Sequence, residues 1–564
     1  MKIRNLYKTL AFYTCVVLAF VIALGLYPKQ RINDRDSQDF SALRVSDDLR
    51  VIAKTPHSIQ HPKERKVLAN YLRERLHQLG GEAQIIEYDT IPSKIGGSFS
   101  YANIYSVFPP LKKTAANNSL PDNSSVTPSE ESYMLLIAHY DSRFRQIIGK
   151  DTVFSYGAAD DGYGLGVIME LVSGALKYRD EWNQGVKVLF TDAEEHNLDG
   201  MRAAYKHNTE IFENVNFAVN IEARGVKGPA LLFETSSGNK KLMELYSHAQ
   251  RPQGLSLTSV VYRFLPNDTD FSIIKDTIPG LNLSVIDDLD YYHTDKDNYS
   301  NISLKSVQHY GDQLQPVVYE YLTNCKYAEG DALVGESDMI FFSFPVFGMF
   351  TFSKAGYIIA NLLVYALFLF VLFVYVKYKI IRPGAILKAI MHILIFALAA
   401  VACGFALSYI LALYWDFKFS IVDLKYIPYD KNFSVVLFLV SILWILVFTR
   451  LQERKNKYYM WNLLLGTNVL LLLLSVVCLV ALGENFFFLI PLATSSVALF
   501  FSVARNFKWL YLVSCTMVMI SGVYFLYLLY TAITIGSLGV IMFLAVMYTF
   551  SVISQYYCLK RDVL

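Results

Sequence analysis

Two kinds of apolar pattern divide the chain. From Gly356 onward, long apolar runs recur at 356–376, 386–414, 433–449, 458–482, 486–504, 509–530 and 533–556. Each has about the length a helix needs to cross a bilayer. An eighth run, Leu10 to Tyr27, follows the basic opening MKIRNLYK and precedes Pro28, Lys29, Gln30 and Arg31, with no small-residue cleavage site, so it reads as a retained anchor. Between Ala42 and Tyr327 the apolar segments are short and bounded by polar residues. YMLLIAHYD (133–141), VKVLFTDAEE (186–195), FAVNIEAR (217–224) and LNLSVIDD (281–288) read as strands, and GYGLGVIMELVSGALKYR (162–179) reads as a helix. This alternation predicts an α/β fold, a mixed and largely parallel sheet sandwiched by helices, joined to an all-α transmembrane bundle.

The resulting layout is a cytoplasmic N-terminus (1–9), an anchor (10–27), a mixed domain (42–330), a connector (331–355), a seven-helix bundle (356–557) and a cytoplasmic tail (558–564). Within it, TAANNSLPDNSSVTPSEES (114–132) lacks apolar periodicity and reads as an exposed loop. MIFFSFPVFGMF (339–350) contains Pro345 and Gly348, and reads as a strand or an interfacial segment rather than a further span.

Composition supports part of this division. A hydrophobic content of 54% exceeds what a soluble protein can bury, so part of the surface faces the lipid bilayer. The net charge of +2 comes with no long Lys/Arg block, which sets aside a nucleic-acid partner. Cys15, Cys403, Cys478 and Cys515 lie in apolar runs, Cys558 lies just past the last, and Cys325 stands alone, so no disulfide framework or cysteine zinc site can be built. Loops 377–388, 450–457 and 505–508 and the tail are basic, while the intervening loops are balanced or short; the positive-inside rule then puts the mixed domain on the non-cytoplasmic side. The lack of large added domains favours a multi-pass protein of a bacterial cytoplasmic membrane with a periplasmic domain. The alternative is a vacuolar or endoplasmic-reticulum membrane, where sequons at Asn117, Asn123, Asn267, Asn282, Asn298 and Asn301 would be lumenal.

Candidate chemistry sits where the strands end, which is where sites form in such sheets. His139, Asp160, Glu195, Glu222 and His293 are the residue types that hold a zinc pair, because zinc takes imidazole nitrogen and carboxylate oxygen and one carboxylate can bridge two ions. Asp141 is placed to hold the far nitrogen of His139. Glu194 and Glu195 are adjacent at a strand end and point different ways, so one can bind metal while the other faces an attacking water. The other histidines, among them His57, His196 and His309, lack such a setting and read as packing or surface residues. The glycines at 157, 162, 164 and 166 surround an acidic pair that would repel phosphate, which excludes a nucleotide loop.

The ordered set HYDS (139–142), GAADDGYG (157–164), DAEEHNLDG (192–200), NIEARG (220–225) and YYHTDKDN (291–298) resembles metallopeptidase family 28, the dinuclear zinc aminopeptidases. With the spans around it, the chain also resembles the multi-spanning vacuolar-membrane and endoplasmic-reticulum metallopeptidases. The resemblance implies a zinc peptidase acting on peptide substrates. His139, Asp160 and Glu222 would hold one ion, Asp160, Glu195 and His293 the other, with Glu194 as general base and Asp161 as an auxiliary. Tyr163 stands where many relatives have serine, a departure that bears on packing. Alternatives on the same fold are a glutaminyl cyclase, a carboxypeptidase, or a non-enzymatic receptor or chaperone domain.

Overall fold

The computed structural model describes residues 2–25, 31–111, 131–148, 151–262, 268–345, 347–422, 424, 427–505 and 507–560. The expected loop at 114–132 lies almost wholly outside the described residues, as do the sequons at Asn117, Asn123 and Asn267. Asn282 is buried inside a strand, so its sequon is inaccessible.

The chain forms two units. One comprises Met1–Tyr27, Phe344–Phe347 and Lys354–Leu564, and the other Pro28–Ser343 with Gly348–Ser353. The second is wider than the expected 42–330. At its start, the Phe40 backbone N–H donates to Gln315 Oε1 at 2.9 Å, and at its end Phe342 bridges to Leu255. Both margins are therefore bonded into the unit.

After the N-terminal helix α1 (Lys2–Gly25) come α2 (Ala42–Ile52), α3 (Pro62–Gln78), β1 (Glu82–Pro92), β2 (Ser98–Phe108), β3 (Tyr133–His139) and a small hairpin of β4 (Gln146–Ile148) and β5 (Asp151–Val153). There follow α4 (Gly162–Ala175), β6 (Gly185–Thr191), α5 (Glu194–Asn197), α6 (Asp199–His207), β7 (Val215–Ala223), β8 (Leu231–Thr235), α7 (Lys240–Tyr246), α8 (Ser256–Tyr262), α9 (Phe271–Ile274), β9 (Gly280–Val285) and α10 (Leu304–Thr323). Within 339–350, β10 (Met339–Phe344) pairs with β11 (Gly348–Ser353), the strand alternative of the two expected.

A seven-stranded sheet runs β1-β2-β6-β3-β7-β9-β8. Its centre, β6-β3-β7-β9, is parallel, and antiparallel strands close both edges. Side chains alternate across the sheet. From β3, Met134 and Leu136 enter one core with α2, α4 and α10, while Leu135 and Ile137 enter a second with α6 and α9. Both faces are thus covered, which is why β3 reads as a continuous apolar run rather than an alternating one. Burying each large apolar side chain contributes about 1.5–3 kcal/mol. The helix α4 is apolar almost all round because it lies between the sheet and α2 and α10; it starts where Asp161 accepts from the Gly164 backbone N–H at 3.0 Å. Tyr163, the departure noted above, is a packing residue: its hydroxyl donates to the Val226 carbonyl at 2.9 Å and accepts from the Ser303 N–H at 2.6 Å.

In the other unit, α1 is joined by α11 (Lys354–Lys377), α12 (Pro383–Tyr414), α13 (Asp430–Lys455), α14 (Tyr459–Leu482), α15 (Phe486–Arg505), α16 (Leu510–Ile533) and α17 (Leu538–Lys560). Eight helices among the described residues are long and apolar enough to cross a membrane, so this is a multi-pass membrane protein. They are not equivalent: 78% of the α17 span is buried inside the protein, against 17% of α13. α17 is the central helix. A Cβ on Gly404 of α12 would come 2.7 Å from Gly539 Cα of α17, so only small residues allow that crossing.

Candidate metal centre

Beyond the carboxyl ends of β6, β3, β7 and β9, the fold gathers the five expected ligand residues. His139 closes β3, Glu222 stands one residue from the end of β7, and Asp160 precedes α4. Glu195 lies in α5, and His293 follows β9 on a turn with a left-handed φ of 62°. His139 Nε2 lies 3.1 Å from Asp160 Oδ1 and 3.9 Å from Glu222 Oε2. On the other side, His293 Nε2 lies 3.3 Å from Asp160 Oδ2 and 3.0 Å from Glu195 Oε1. The two oxygens of Asp160 therefore face two different sets of donors.

The donors fit zinc. Asp160 Oδ2, Glu195 Oε1 and His293 Nε2 are buried without a hydrogen-bond partner. Left so, each would cost about 1–3 kcal/mol, a cost that a cation between them removes. Electrostatics point the same way. Burial and the neighbouring acids push Glu222 up to about 8. Burial disfavours the His139 cation, yet the carboxylates of Glu194, Asp141 and Asp160 outweigh it and hold the imidazole well above its ordinary range. Without metal the cluster keeps protons that a cation would displace.

Two expectations about orientation need correction. Glu194 and Glu195 are not at the end of a strand: β6 stops at Thr191, and Ala193, with a left-handed φ of 56°, turns the chain into α5. The two glutamates diverge because successive helical residues are rotated by about 100°. Glu195 is buried among the ligands, while Glu194 is half-buried. Burial and the charges of Glu222, Glu195 and Asp270 raise the Glu194 carboxyl well above its usual range. A Cβ on Gly200 would fall on the Asp192 backbone, so this turn closes only with glycine there.

Asp141 also acts differently from expectation. The His139 Nδ1–H is held by the Asp141 main-chain carbonyl at 2.9 Å, whereas the nearer carboxylate oxygen is 3.5 Å away. That carboxylate instead accepts from the backbone N–H groups of Glu194 and Glu195, at 2.9 and 3.3 Å. One residue thus fixes the imidazole with its backbone and the glutamate pair with its side chain.

Several contributors were not evident beforehand. Asp297 accepts from the Ala159 N–H at 2.7 Å and the Asp160 N–H at 3.2 Å, holding the bridge from behind; burial pushes it up to about 7. Its only signal was its place in YYHTDKDN. Arg143 Nη1 donates to Glu195 Oε2 at 2.8 Å, and its guanidinium lies over the Phe144 ring. Asp161 accepts from the His139 N–H at 3.3 Å as well as capping α4. Asp270 is buried against the Thr191 hydroxyl, and Asp268 is exposed. His57, His196 and His309 are held by Thr55, by Asp199 and Lys94, and by Ala230 and Arg251 respectively, and none belongs to the two donor sets.

Comparison with known proteins agrees with the resemblance read from the motifs. Residues 122–318 match the model described as Peptidase family M28. A vacuolar membrane protease of Candida dubliniensis is 25% identical over 314 residues, covering 53% of this chain and 31% of that protein. Endoplasmic reticulum metallopeptidase 1 of Rattus norvegicus is 30% identical over 220 residues, covering 38% of this chain and 24% of that protein. The match thus spans about a quarter to a third of the curated relatives' length. Among solved structures, an aminopeptidase from an Aneurinibacillus species aligns with a TM-score of 0.40 and 10% identity, covering 50% of this chain and 95% of that one.

Proposed function

We propose that the chain is a membrane-bound dinuclear zinc aminopeptidase, which removes N-terminal residues from peptides on the non-cytoplasmic side. One observation carries the metal part: Asp160 turns one oxygen to His139 and the other to His293, so two donor sets share one carboxylate. His139, Asp160 and Glu222 would hold the first ion, and Asp160, Glu195 and His293 the second. When bound, zinc supplies Lewis acidity toward a peptide carbonyl and toward water.

The remaining work falls to the chain itself. Glu194, half-buried and with its basicity raised by burial, takes the proton of the attacking water and returns it to the leaving amine. The Asp141 carboxylate holds Glu194 in place by accepting from the Glu194 backbone N–H at 2.9 Å. The side of the membrane follows from the basic loops that separate the spans.

Purification in detergent, with metal counting and a peptide panel run on one sample, tests this reading. The expected result is two zinc ions per chain and release of the first residue from free-amine peptides only. Cyclised product from N-terminal glutamine peptides would reassign the activity. Folded protein that takes up no zinc would end the metal reading.

A further inference from the structure

Glu194 has no side-chain partner of its own. It is half-buried, and among the described residues nothing hydrogen-bonds its carboxylate, so its aim is set by the backbone of α5. That helix is four residues long and has left-handed residues at both ends, Ala193 and Leu198, each with a φ of 56°. So short a helix does not hold itself, because its first turn fixes several residues for one hydrogen bond. Its N-terminal half is fastened by the Asp141 carboxylate, which accepts from the Glu194 and Glu195 backbone N–H groups. Its C-terminal half depends on a different fastening.

His196 supplies it. The side chain is buried and both ring nitrogens are engaged. Nε2 accepts from the Lys94 backbone N–H at 2.9 Å, and because an amide N–H can only donate, the ring proton lies on Nδ1, which donates to Asp199 Oδ2 at 2.6 Å. Lys94 Nζ also donates to the His196 main-chain oxygen at 2.6 Å, and the Phe99 ring meets the imidazole edge-on, with centroids 5.0 Å apart. Lys94 lies in the turn that joins β1 to β2, where the Gly96 N–H donates to the Ser93 carbonyl at 3.1 Å. The turn thus clasps α5, and the hairpin behind it is bonded into the sheet through the pairing of β2 with β6.

We infer that His196 is a positioning residue for the hydrolytic step: pinned between Asp199 and the Lys94 N–H, it fixes the orientation of α5 and with it the reach of the Glu194 carboxylate. This rests on the reading of Glu194 as the base. Glu195 is held separately, because Arg143 Nη1 donates to its Oε2 at 2.8 Å and to its main-chain oxygen at 2.9 Å. Loosening His196 therefore disturbs the base and spares the neighbouring ligand. A base displaced by about 1 Å loses about a hundredfold in rate.

Steady-state kinetics and metal counting on the full chain in detergent test the inference. His196→Ala should lower kcat by about 10–100-fold while KM and zinc content stay at the wild-type values. His196→Gln, whose Oε1 can accept from the Lys94 N–H, should recover most of that loss. From the other side, Lys94→Pro removes the same N–H at the second position of a β-turn, where proline is accommodated, and leaves the imidazole intact. It should show the same fall in kcat, it carries the test alone if His196→Ala does not fold, and the double variant should fall no further than either single one. Unchanged kcat in His196→Ala or Lys94→Pro, zinc lost in step with activity, no recovery in His196→Gln, or multiplied losses in the double variant overturn the inference and leave Glu194 as the base. Normal hydrolysis by Glu194→Gln overturns the base reading and the inference with it.

Discussion

Both units bury polar side chains, and one buried cluster from each makes a contrast. In the sheet unit its members are ionisable and converge: His139, Asp160, Glu195, Glu222 and His293 crowd their donor atoms into one place. In the bundle a buried network of neutral groups joins α11 to the turn after α14. There Asn485 Nδ2 donates to Asn361 Oδ1 and Ser475 Oγ, both at 2.7 Å, and the Tyr357 hydroxyl donates to Asn485 Oδ1 at 2.7 Å. A cluster of like charges is tolerated where a cation or bound protons neutralise it, whereas neutral amides and hydroxyls that satisfy one another can sit within a bilayer at small cost. The first arrangement suits chemistry, the second fastening.

If this contrast is right, the largest effect comes from Glu194. Glu194→Gln should lower kcat by about a thousandfold or more while zinc content stays at the wild-type level. Near-normal turnover by that variant would remove Glu194 as the base.

Acidification comes next, and it should strike the sheet unit. Burial lowers His57 and His309 to about 4. As pH falls from about 6.5 toward 4 the unfolded chain takes up protons that the folded one refuses, so stability falls by about 1.4 kcal/mol per pH unit per histidine and levels off below. His309→Gln can retain both backbone contacts and should flatten the dependence of melting temperature on pH; an unchanged slope would clear His309.

Asp297→Asn should weaken zinc binding by about 10–100-fold, because the carboxylate behind Asp160 loses its charge. Competition with a chelator measures this. Smallest of all, Asn485→Ala should cost the bundle about 0.6–1.7 kcal/mol and leave zinc affinity unchanged. Loss of zinc in that variant would break the separation of roles between the two units.

The legibility of the sequence follows the same division. Hydropathy alone finds the spans, because lipid demands length and apolarity and little else. The central strands are nearly as plain, since burial on both faces makes them continuous apolar runs. What escaped were choices between atoms. That Asp141 stands near His139 is written in HYD, but whether its carbonyl or its carboxylate meets the ring depends on the backbone direction after β3. Arg143 meets Glu195, and Asp297 meets Asp160, across turns with no periodicity to read. Glu194 and Glu195 were visible as a pair, but the left-handed residue that turns them out of the strand was an alanine, which carries no turn signal.

The central position of α17 has a consequence for biosynthesis. The helix that most of the described spans pack against follows them in sequence, so it leaves the ribosome after them. Until it arrives, the earlier spans lack their shared partner and must wait in the membrane with glycine-lined and polar faces uncovered. Packing of these spans therefore waits for α17, and a nascent chain stalled before it would expose those faces to the machinery that removes unassembled membrane proteins.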